Sequence, residues 1–276
     1  METIERQLAN FPVRQVDASL PAYREAGSGR PLVLLHGIGS GSGSFIRQLE
    51  TLSDRLRVIA WDAPGYGMSP ALPQSAPVAA DYASALTGLL DALGLDRVLL
   101  AGHSLGALTA GAFALAHPQR LGGLILMNPA GGYGAADEEV RREKLDARLS
   151  MMDRLGPRGM AEKRGAALVS PAASDEARRL VVWNMSQLRP DGHAQAARML
   201  ASGSLAEDAA SYAGPALVIG STGDTVTPEA GCKAIAAAFP KARYVSIEGP
   251  GHASYVEAPG EINTRIEEFA REIGWL

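Results

Sequence analysis

The chain alternates short apolar runs with segments of helical periodicity, and this alternation constrains its fold more than any single motif does. Continuous apolar runs are typical of strands buried on both faces of a parallel sheet. The helical segments between them would cover those faces. The sequence therefore predicts an α/β fold with a mostly parallel central sheet and helices on both faces. The apolar runs are residues 31–35, 57–61, 98–101, 124–127, 216–220 and 242–247.

Helical periodicity is found at residues 45–53, 79–93 and 105–116, and in a closing segment at about 260–273. Residues 11–26 alternate only loosely and contain Pro12 and Pro21. They predict two short strands joined by a turn at an edge of the sheet, where proline is tolerated.

One segment interrupts the alternation. In residues 133–212, 24 of the 80 residues are charged, against 20% of the whole chain, and the spacing of apolar residues is helical throughout. We predict an inserted helical cap here, with residues 1–132 and 213–276 forming the core. The segment also holds five of the eight methionines. Such a concentration suits either an adaptable apolar surface over a ligand or the ordinary core of a small helical unit.

The run 98–101 ends in Gly102-His103-Ser104-Leu105-Gly106, directly before a predicted helix. A G-x-S-x-G match alone is a weak signal, but a strand before it and a helix after it are the context in which such a serine is a nucleophile. Glycines are needed in a turn this sharp because side chains would collide. The sequence therefore predicts Ser104 at the apex of a strand–turn–helix.

A serine hydroxyl needs a base within hydrogen-bond reach to become a nucleophile. Of the five histidines, His252 follows the last predicted strand and is the best candidate for that base. An imidazole in this role needs a carboxylate to orient it and to stabilise its cation. Asp224 follows the preceding strand and supplies one, whereas Asp62 more plausibly accepts hydrogen bonds from loop N–H groups.

Residues 36–43 contain four glycines and follow a predicted strand. A phosphate-binding loop would end in Gly-Lys-Ser/Thr, which is absent here. We instead expect the backbone N–H groups of Ile38 and Leu105 to stabilise an oxyanion. This loop, Ser104, Asp224 and His252 each follow a strand, so a parallel sheet would collect all of them at one edge.

Five motifs together resemble the α/β-hydrolase superfamily: LLHGIGS (34–40), DAPGYGMS (62–69), GHSLG (102–106), GDTVTP (223–228) and GPGH (249–252). The resemblance implies a triad of Ser104, Asp224 and His252, a helical lid, and neither a cofactor nor a metal. Some members take the acid from the end of the preceding strand. This chain has Asn128 there, which favours Asp224. We place Gly37, His103, Trp183 and Met185 at the substrate.

The same resemblance implies a serine hydrolase, because dehalogenases and epoxide hydrolases of this superfamily carry aspartate as the nucleophile. Ester or lactone cleavage through an acyl-enzyme ranks first. Cleavage of a carbon–carbon bond in a ring-cleavage product, or of an amide, is the alternative with the same triad. A non-catalytic ligand receptor and a cofactor-free oxygenase or perhydrolase are the alternatives of another class. An acidic substrate would require a cap arginine such as Arg189 or Arg198.

The composition limits which kinds of molecule this chain is expected to bind. The net charge of −4 is too small to indicate nucleic acid binding, and the single cysteine, Cys232, excludes an intrachain disulfide. No apolar run is long enough to span a membrane, and the charged first residues do not resemble a signal peptide. We expect a cytoplasmic protein with a small-molecule substrate, and a homodimer remains open.

Overall fold

The computed structural model describes residues 4–276. Their seven strands form one sheet in the spatial order 1-3-2-4-5-6-7, and all neighbouring pairs are parallel except the first. This confirms the predicted mostly parallel α/β sheet. The strands are β1 (Tyr23–Ala26), β2 (Arg30–Leu35), β3 (Leu56–Trp61), β4 (Val98–His103), β5 (Leu121–Met127), β6 (Ala216–Ser221) and β7 (Ala242–Ile247).

Eleven α-helices are found among residues 4–276. Those that flank the sheet are α1 (Ile4–Leu8), α2 (Ile46–Leu52), α3 (Ala79–Ala92), α4 (Gly106–Ala116), α9 (Glu229–Ala238), α10 (Ser254–Glu257) and α11 (Pro259–Glu272). Those between β5 and β6 are α5 (Glu138–Arg164), α6 (Asp175–Ser186), α7 (Pro190–Ser202) and α8 (Leu205–Ala209).

The sheet is buried on both faces because successive side chains of each strand point in opposite directions. In β4, Leu100 belongs to the hydrophobic cluster that contains Phe113 of α4. The adjacent Leu99 belongs to a second cluster, which contains Leu49 of α2 and Phe269 of α11. Helices therefore cover both faces, as the continuous apolar runs predict.

The prediction of two strands within residues 11–26 is wrong for the first of them. Only β1 forms, and Arg14 makes a single antiparallel bridge to Tyr23. Pro12 has no backbone N–H to contribute to a ladder. The chain then turns at Asp17, whose carbonyl accepts a hydrogen bond from the N–H of Leu20.

The segment between β5 and β6 is helical, and within it α5 packs against both α6 and α7. A kink divides α5 at Gly156, whose φ of +61° is outside the helical region, next to Pro157. The short helix α8 packs instead against α4 and α9 of the sheet layer. The division of the chain into a core and a cap stays a prediction. None of the helices in the described part of the chain is both long and apolar enough to cross a bilayer.

Candidate active site

The turn between β4 and α4 holds Ser104 in a strained conformation. Its φ of +50° lies in the left-handed region, which non-glycine residues rarely adopt. A Cβ on Gly102 would lie 2.5 Å from the carbonyl oxygen of Gly106, and a Cβ on Gly106 would lie 2.3 Å from that of Leu35. Glycine at both positions therefore lets the strand, the turn and the start of the helix approach closely, with the serine at the apex.

Three side chains from separate loops form one hydrogen-bonded relay. The Ser104 Oγ lies 2.9 Å from Nε2 of His252, and Nδ1 of His252 lies 2.9 Å from Oδ2 of Asp224. All three residues are buried. With Asp224 ionised, Nδ1 carries the hydrogen and donates it to Oδ2. Nε2 is then free to accept the proton of Ser104, which is the arrangement of a general base beside a nucleophile.

Asp224 is held by donors on both carboxylate oxygens. Its Oδ1 accepts hydrogen bonds from the N–H groups of Val226 at 2.7 Å and Thr227 at 2.9 Å. Its Oδ2 accepts from the Thr227 hydroxyl at 2.7 Å, and also from His252. Burial disfavours the charged form, but the hydrogen bonds from His252 and Thr227 outweigh it and hold the pKa of Asp224 well below its ordinary value. The acid is therefore ionised at neutral pH.

The glycine-rich loop after β2 lies directly against the nucleophile. A Cβ on Gly37 would be 3.1 Å from Cβ of Ser104, and a turn closes the loop with a 3.1 Å hydrogen bond from Ser40 N–H to the Gly37 carbonyl. Within residues 4–276, the N–H groups of Ile38 and Leu105 donate to no protein acceptor. Two unpaired amides beside Ser104 can receive the negative oxygen of a tetrahedral intermediate.

The predicted role of Asp62 is confirmed, because its Oδ1 accepts a 2.8 Å hydrogen bond from the N–H of Ser42 in that loop. The Tyr66 hydroxyl donates to the carbonyl of Ile38 at 3.0 Å. The two contacts anchor the loop from the neighbouring 62–69 segment, so the amide of Ile38 is held in place before any ligand arrives.

A cavity of about 530 Å³ opens onto Ser104 and His252. Loops at the carboxyl ends of the strands form one wall, and residues of α5, α6 and α7 form the other. Most of the lining is apolar, as is usual for small-molecule sites. Among the described residues, no group of three His, Cys, Asp or Glu side chains is arranged to hold a metal ion.

A protein family described as the alpha/beta hydrolase fold matches residues 30–259. The chain belongs to the α/β-hydrolase family. The match spans β2 to the start of α11 and includes every residue of the relay.

Two relatives of this α/β-hydrolase are similar over part of their length. The 2-hydroxy-6-oxo-6-phenylhexa-2,4-dienoate hydrolase of Comamonas testosteroni is 42% identical over 136 residues, which is 48% of this chain and 44% of the relative. The 2-hydroxy-6-oxononadienedioate/2-hydroxy-6-oxononatrienedioate hydrolase 1 of Dechloromonas aromatica is 44% identical over 123 residues, 43% of this chain and 42% of the relative. The chain thus matches under half the length of each.

A solved structure resembles the α/β-hydrolase over nearly its full length. It is that of a thermophilic esterase from Thermogutta terrifontis with malate bound. The TM-score is 0.84 and the identity 27%, with 92% of this chain and 94% of the esterase covered.

Of the four residues that the sequence placed at the substrate, three line the cavity in the structure. Gly37, His103 and Met185 line the cavity of this α/β-hydrolase. Trp183 is not among the residues that line it. Its indole N–H donates to Glu5 at 2.6 Å, and its ring lies against a separate, smaller cleft. Trp183 and Met185 are two positions apart on α6, so the helix turns their side chains to different sides.

His103 lines the cavity and also supports the loop that carries His252. Its Nε2 donates to the carbonyl of His252 at 2.9 Å, and the two rings lie 4.9 Å apart. Burial, aided by the neighbouring His252, lowers the pKa of His103 to about 3. The ring is therefore neutral at physiological pH.

The five methionines of the helical segment fit both alternatives that the sequence left open, since Met160 and Met185 line the cavity and also belong to the buried hydrophobic core. Met151, Met160 and Met185 line the cavity. Met152 and Met199 do not, and lie buried in the hydrophobic core.

Asn128 is a residue whose role the sequence reasoning missed. It is fully buried at the end of β5, with a φ of +43°. Its Nδ2 donates to Oδ2 of Asp224 at 2.8 Å and to Oγ of Ser221 at 2.7 Å, and its Oδ1 accepts from Oγ of Ser254 at 2.5 Å. Asn128 therefore helps to hold the carboxylate of Asp224 in place. A polar residue ending the apolar run 124–127 is the signal that could have revealed it.

Proposed function

We propose that this α/β-hydrolase is a serine hydrolase that cleaves a carboxylic ester or lactone of a small molecule through an acyl-enzyme on Ser104. The observation that carries the proposal is the continuous relay from Asp224 through His252 to Ser104, with 2.9 Å at both hydrogen bonds, opening onto a mostly apolar cavity.

In the first half of the reaction, His252 Nε2 takes the proton of Ser104 as Oγ attacks the substrate carbonyl. The N–H groups of Ile38 and Leu105 stabilise the oxyanion, and each such donor contributes about 3 kcal/mol to the transition state. Asp224 stabilises the imidazolium. His252 then gives its proton to the leaving alkoxide, so an alcohol departs and the acyl group remains on Oγ.

In the second half, His252 takes a proton from water, and the resulting hydroxide attacks the acyl carbonyl. The tetrahedral intermediate collapses with cleavage of the bond to Oγ, and His252 returns the proton to Ser104. A carboxylic acid leaves and the enzyme is restored. For a lactone the alcohol and the acid are parts of one product.

Ester chemistry is supported by the likeness to the thermophilic esterase, which extends over 92% of this chain. Cleavage of a carbon–carbon bond in a ring-cleavage product is the second candidate. It is favoured by the dienoate hydrolase from Comamonas testosteroni, which is 42% identical over about half of the chain. The same serine relay could attack a ketone there, but the leaving group would be a carbanion that must be protonated on carbon.

A substrate panel tests the proposal. Purified protein and its Ser104→Ala variant would be assayed with aryl esters, lactones, amides and a 2-hydroxy-6-oxodienoate. We expect the highest kcat/KM on an ester or lactone and a loss of at least about 10³-fold in the variant, with an unchanged circular dichroism spectrum. A dienoate preferred over every ester would favour the second candidate. Binding without turnover of any substrate would indicate a receptor.

Covalent labelling locates the nucleophile independently of the substrate. A fluorophosphonate should modify Ser104, identified by peptide mass spectrometry. Modification of Ser40 or Ser42 in its place, or full activity of Ser104→Ala, would overturn the mechanism. Turnover that stops when oxygen and peroxide are excluded would indicate an oxygenase or perhydrolase.

A further inference from the structure

The lining of the cavity includes three polar side chains on separate elements. Arg148 belongs to α5, His193 to α7, and Tyr133 to the loop that follows β5, and all three line the cavity. The N–H of Tyr133 donates to the carbonyl of Leu200 at 3.0 Å, which ties that loop to α7. None of the three has a part in the relay on Ser104.

Arg148 is half-buried and is held from two sides. One guanidinium nitrogen, Nη1, donates to the carbonyl of Lys144 at 2.7 Å, and Nη2 donates to the Tyr133 hydroxyl at 3.2 Å. The guanidinium carbon also lies 5.3 Å from the centre of the Tyr133 ring. Of the five N–H groups of an arginine, three are left without a partner by these bonds.

Within the described residues 4–276, no Asp or Glu oxygen lies within 4.0 Å of the Arg148 guanidinium. An arginine that faces a mostly apolar cavity is normally paired, since an uncompensated charge is costly away from water. The Tyr133 hydroxyl accepts from Arg148, so its own hydrogen remains available to a ligand. The two side chains thus present donors and one positive charge.

His193 supplies an independent observation. It is 2% exposed, and its Nδ1 has no hydrogen-bond partner among the described residues. Burial, together with the charge of Arg148, lowers the pKa of His193 to about 4, so the ring is neutral at physiological pH and offers one N–H. A buried polar group without a partner is unfavourable, and the His193 side chain lines the cavity.

The position of His193 is set by a close backbone contact. A Cβ on the adjacent Gly192 would lie 2.0 Å from the carbonyl oxygen of Gly65, so α7 begins directly against the 62–69 loop. The unpartnered imidazole is therefore part of a closely packed wall.

We propose that Arg148, Tyr133 and His193 bind a carboxylate of the substrate, remote from the scissile carbonyl, so that the enzyme acts on esters or lactones of acidic small molecules. This rests on the proposed hydrolase function. All three groups are donors, and the single positive charge matches the single negative charge of a carboxylate. The apolar remainder of the cavity suits the hydrocarbon between the carboxylate and the reacting carbonyl.

The arginines that the sequence pointed to for this role are placed elsewhere. Arg189 donates to the carbonyl of Ser69 at 2.9 Å, and neither Arg189 nor Arg198 lines the cavity. Arg164 lines it, but its side chain is exposed to solvent. Arg148 is the arginine with both a fixed geometry and a partly buried charge.

The kinetic test compares two substrates of equal size. One is the monophenyl ester of adipic acid, and the other carries a carboxamide in place of the free carboxylate. We expect wild type to prefer the acid by about 10- to 150-fold in kcat/KM, since charged hydrogen bonds contribute about 1.5–3 kcal/mol. Arg148→Met should reduce this preference by a similar factor, mainly through KM of the acid. His193→Phe should reduce it by about 3- to 10-fold.

Arg154→Met is the matched control. Arg154 is exposed on the same helix and does not line the cavity, so its loss changes the net charge equally and should leave the preference unchanged. The carboxylate site would be overturned if Arg154→Met reduced the preference for the acid as much as Arg148→Met does. It would also be overturned if Arg148→Met left that preference unaltered.

A binding measurement separates this proposal from the catalytic one. Titration calorimetry of the Ser104→Ala protein with dicarboxylates from succinate to suberate should show binding that Arg148→Met weakens at least 10-fold. Such binding without any ester turnover would leave the subsite standing and remove the esterase assignment. Ester turnover with no binding of any of these acids would leave the esterase assignment standing and overturn the carboxylate subsite.

Discussion

Removing the side chain of Asn128 should slow the chemical step without changing the reacting groups. Glycine is the best replacement, because the φ of +43° at this position costs glycine nothing. Asn128→Gly therefore deletes the amide and leaves the backbone conformation unstrained. Alanine at the same position would add about 1–2 kcal/mol of backbone strain to the same deletion.

The expected magnitude follows from the contact with the acid. The 2.8 Å hydrogen bond from Nδ2 to the charged Oδ2 of Asp224 belongs to a class that contributes about 1.5–3 kcal/mol. If its loss lets the carboxylate rotate away from His252, the full amount enters the activation barrier. Since 1.36 kcal/mol is a factor of ten, kcat should fall by about 10- to 150-fold.

The variant also loses bonds that do not concern the reaction. Those to Ser221 and Ser254 contribute about 1 kcal/mol each to the free energy of unfolding. Ser254→Ala is the matched control, since it removes one of these bonds and leaves the contact between Asn128 and Asp224 in place. It should lower the stability while kcat stays within about threefold of wild type.

The measurement is kcat on the substrate of the panel with the highest kcat/KM, at a temperature below the onset of thermal unfolding of each variant. In an Asp224→Asn background the Asn128→Gly change should cost much less, because the interaction it removes has already been altered. Wild-type kcat in a folded Asn128→Gly protein, or equal losses in both backgrounds, would refute the positioning role.

Two further predictions concern stability, both measured by thermal and urea unfolding. Burial, reinforced by Glu207, raises the pKa of Asp208 to about 6, so the folded state binds the proton more tightly than the unfolded state. Stability should fall as the pH rises from about 4 to 6, and Asp208→Asn should gain about 1–2 kcal/mol at pH 7.5 and less at pH 4.5. Gly192→Ala should lose about 1–3 kcal/mol, because its Cβ would lie 2.0 Å from the Gly65 carbonyl oxygen. Gly260→Ala, with no atom within 4 Å of its Cβ, is the control and should be neutral or slightly stabilising.

A gain from Asp208→Asn that is the same at both pH values would show that the effect does not come from ionisation. A Gly192→Ala protein as stable as wild type would show that α7 can move away from the 62–69 loop, and with it His193.

Local patterns were sufficient to predict strands β2 to β7 and the sharp turn at Ser104. The apolar runs became β2 to β7 because burial on both faces requires continuous apolar sequence. The glycines on either side of Ser104 also predicted a local structure, because a tight turn leaves no room for side chains. The partners Asp224 and His252 were predicted from their places after strands, because the ends of parallel strands share one edge.

The sequence by itself determined the layered sheet, the serine turn and the chain order of the three side chains in the hydrogen-bonded relay. Only the tertiary structure decided which side chains of the inserted helices face the cavity: Met185 and Arg148 do, whereas Trp183 and Arg189 do not. The physical reason is that these side chains belong to α5, to α6 and to the residue before α7, and which side of each helix is turned to the cavity depends on how the helices pack against one another. The hydrogen bond from Asn128 to Asp224 has the same origin, because it joins residues 96 positions apart that meet only when β5 pairs with β6.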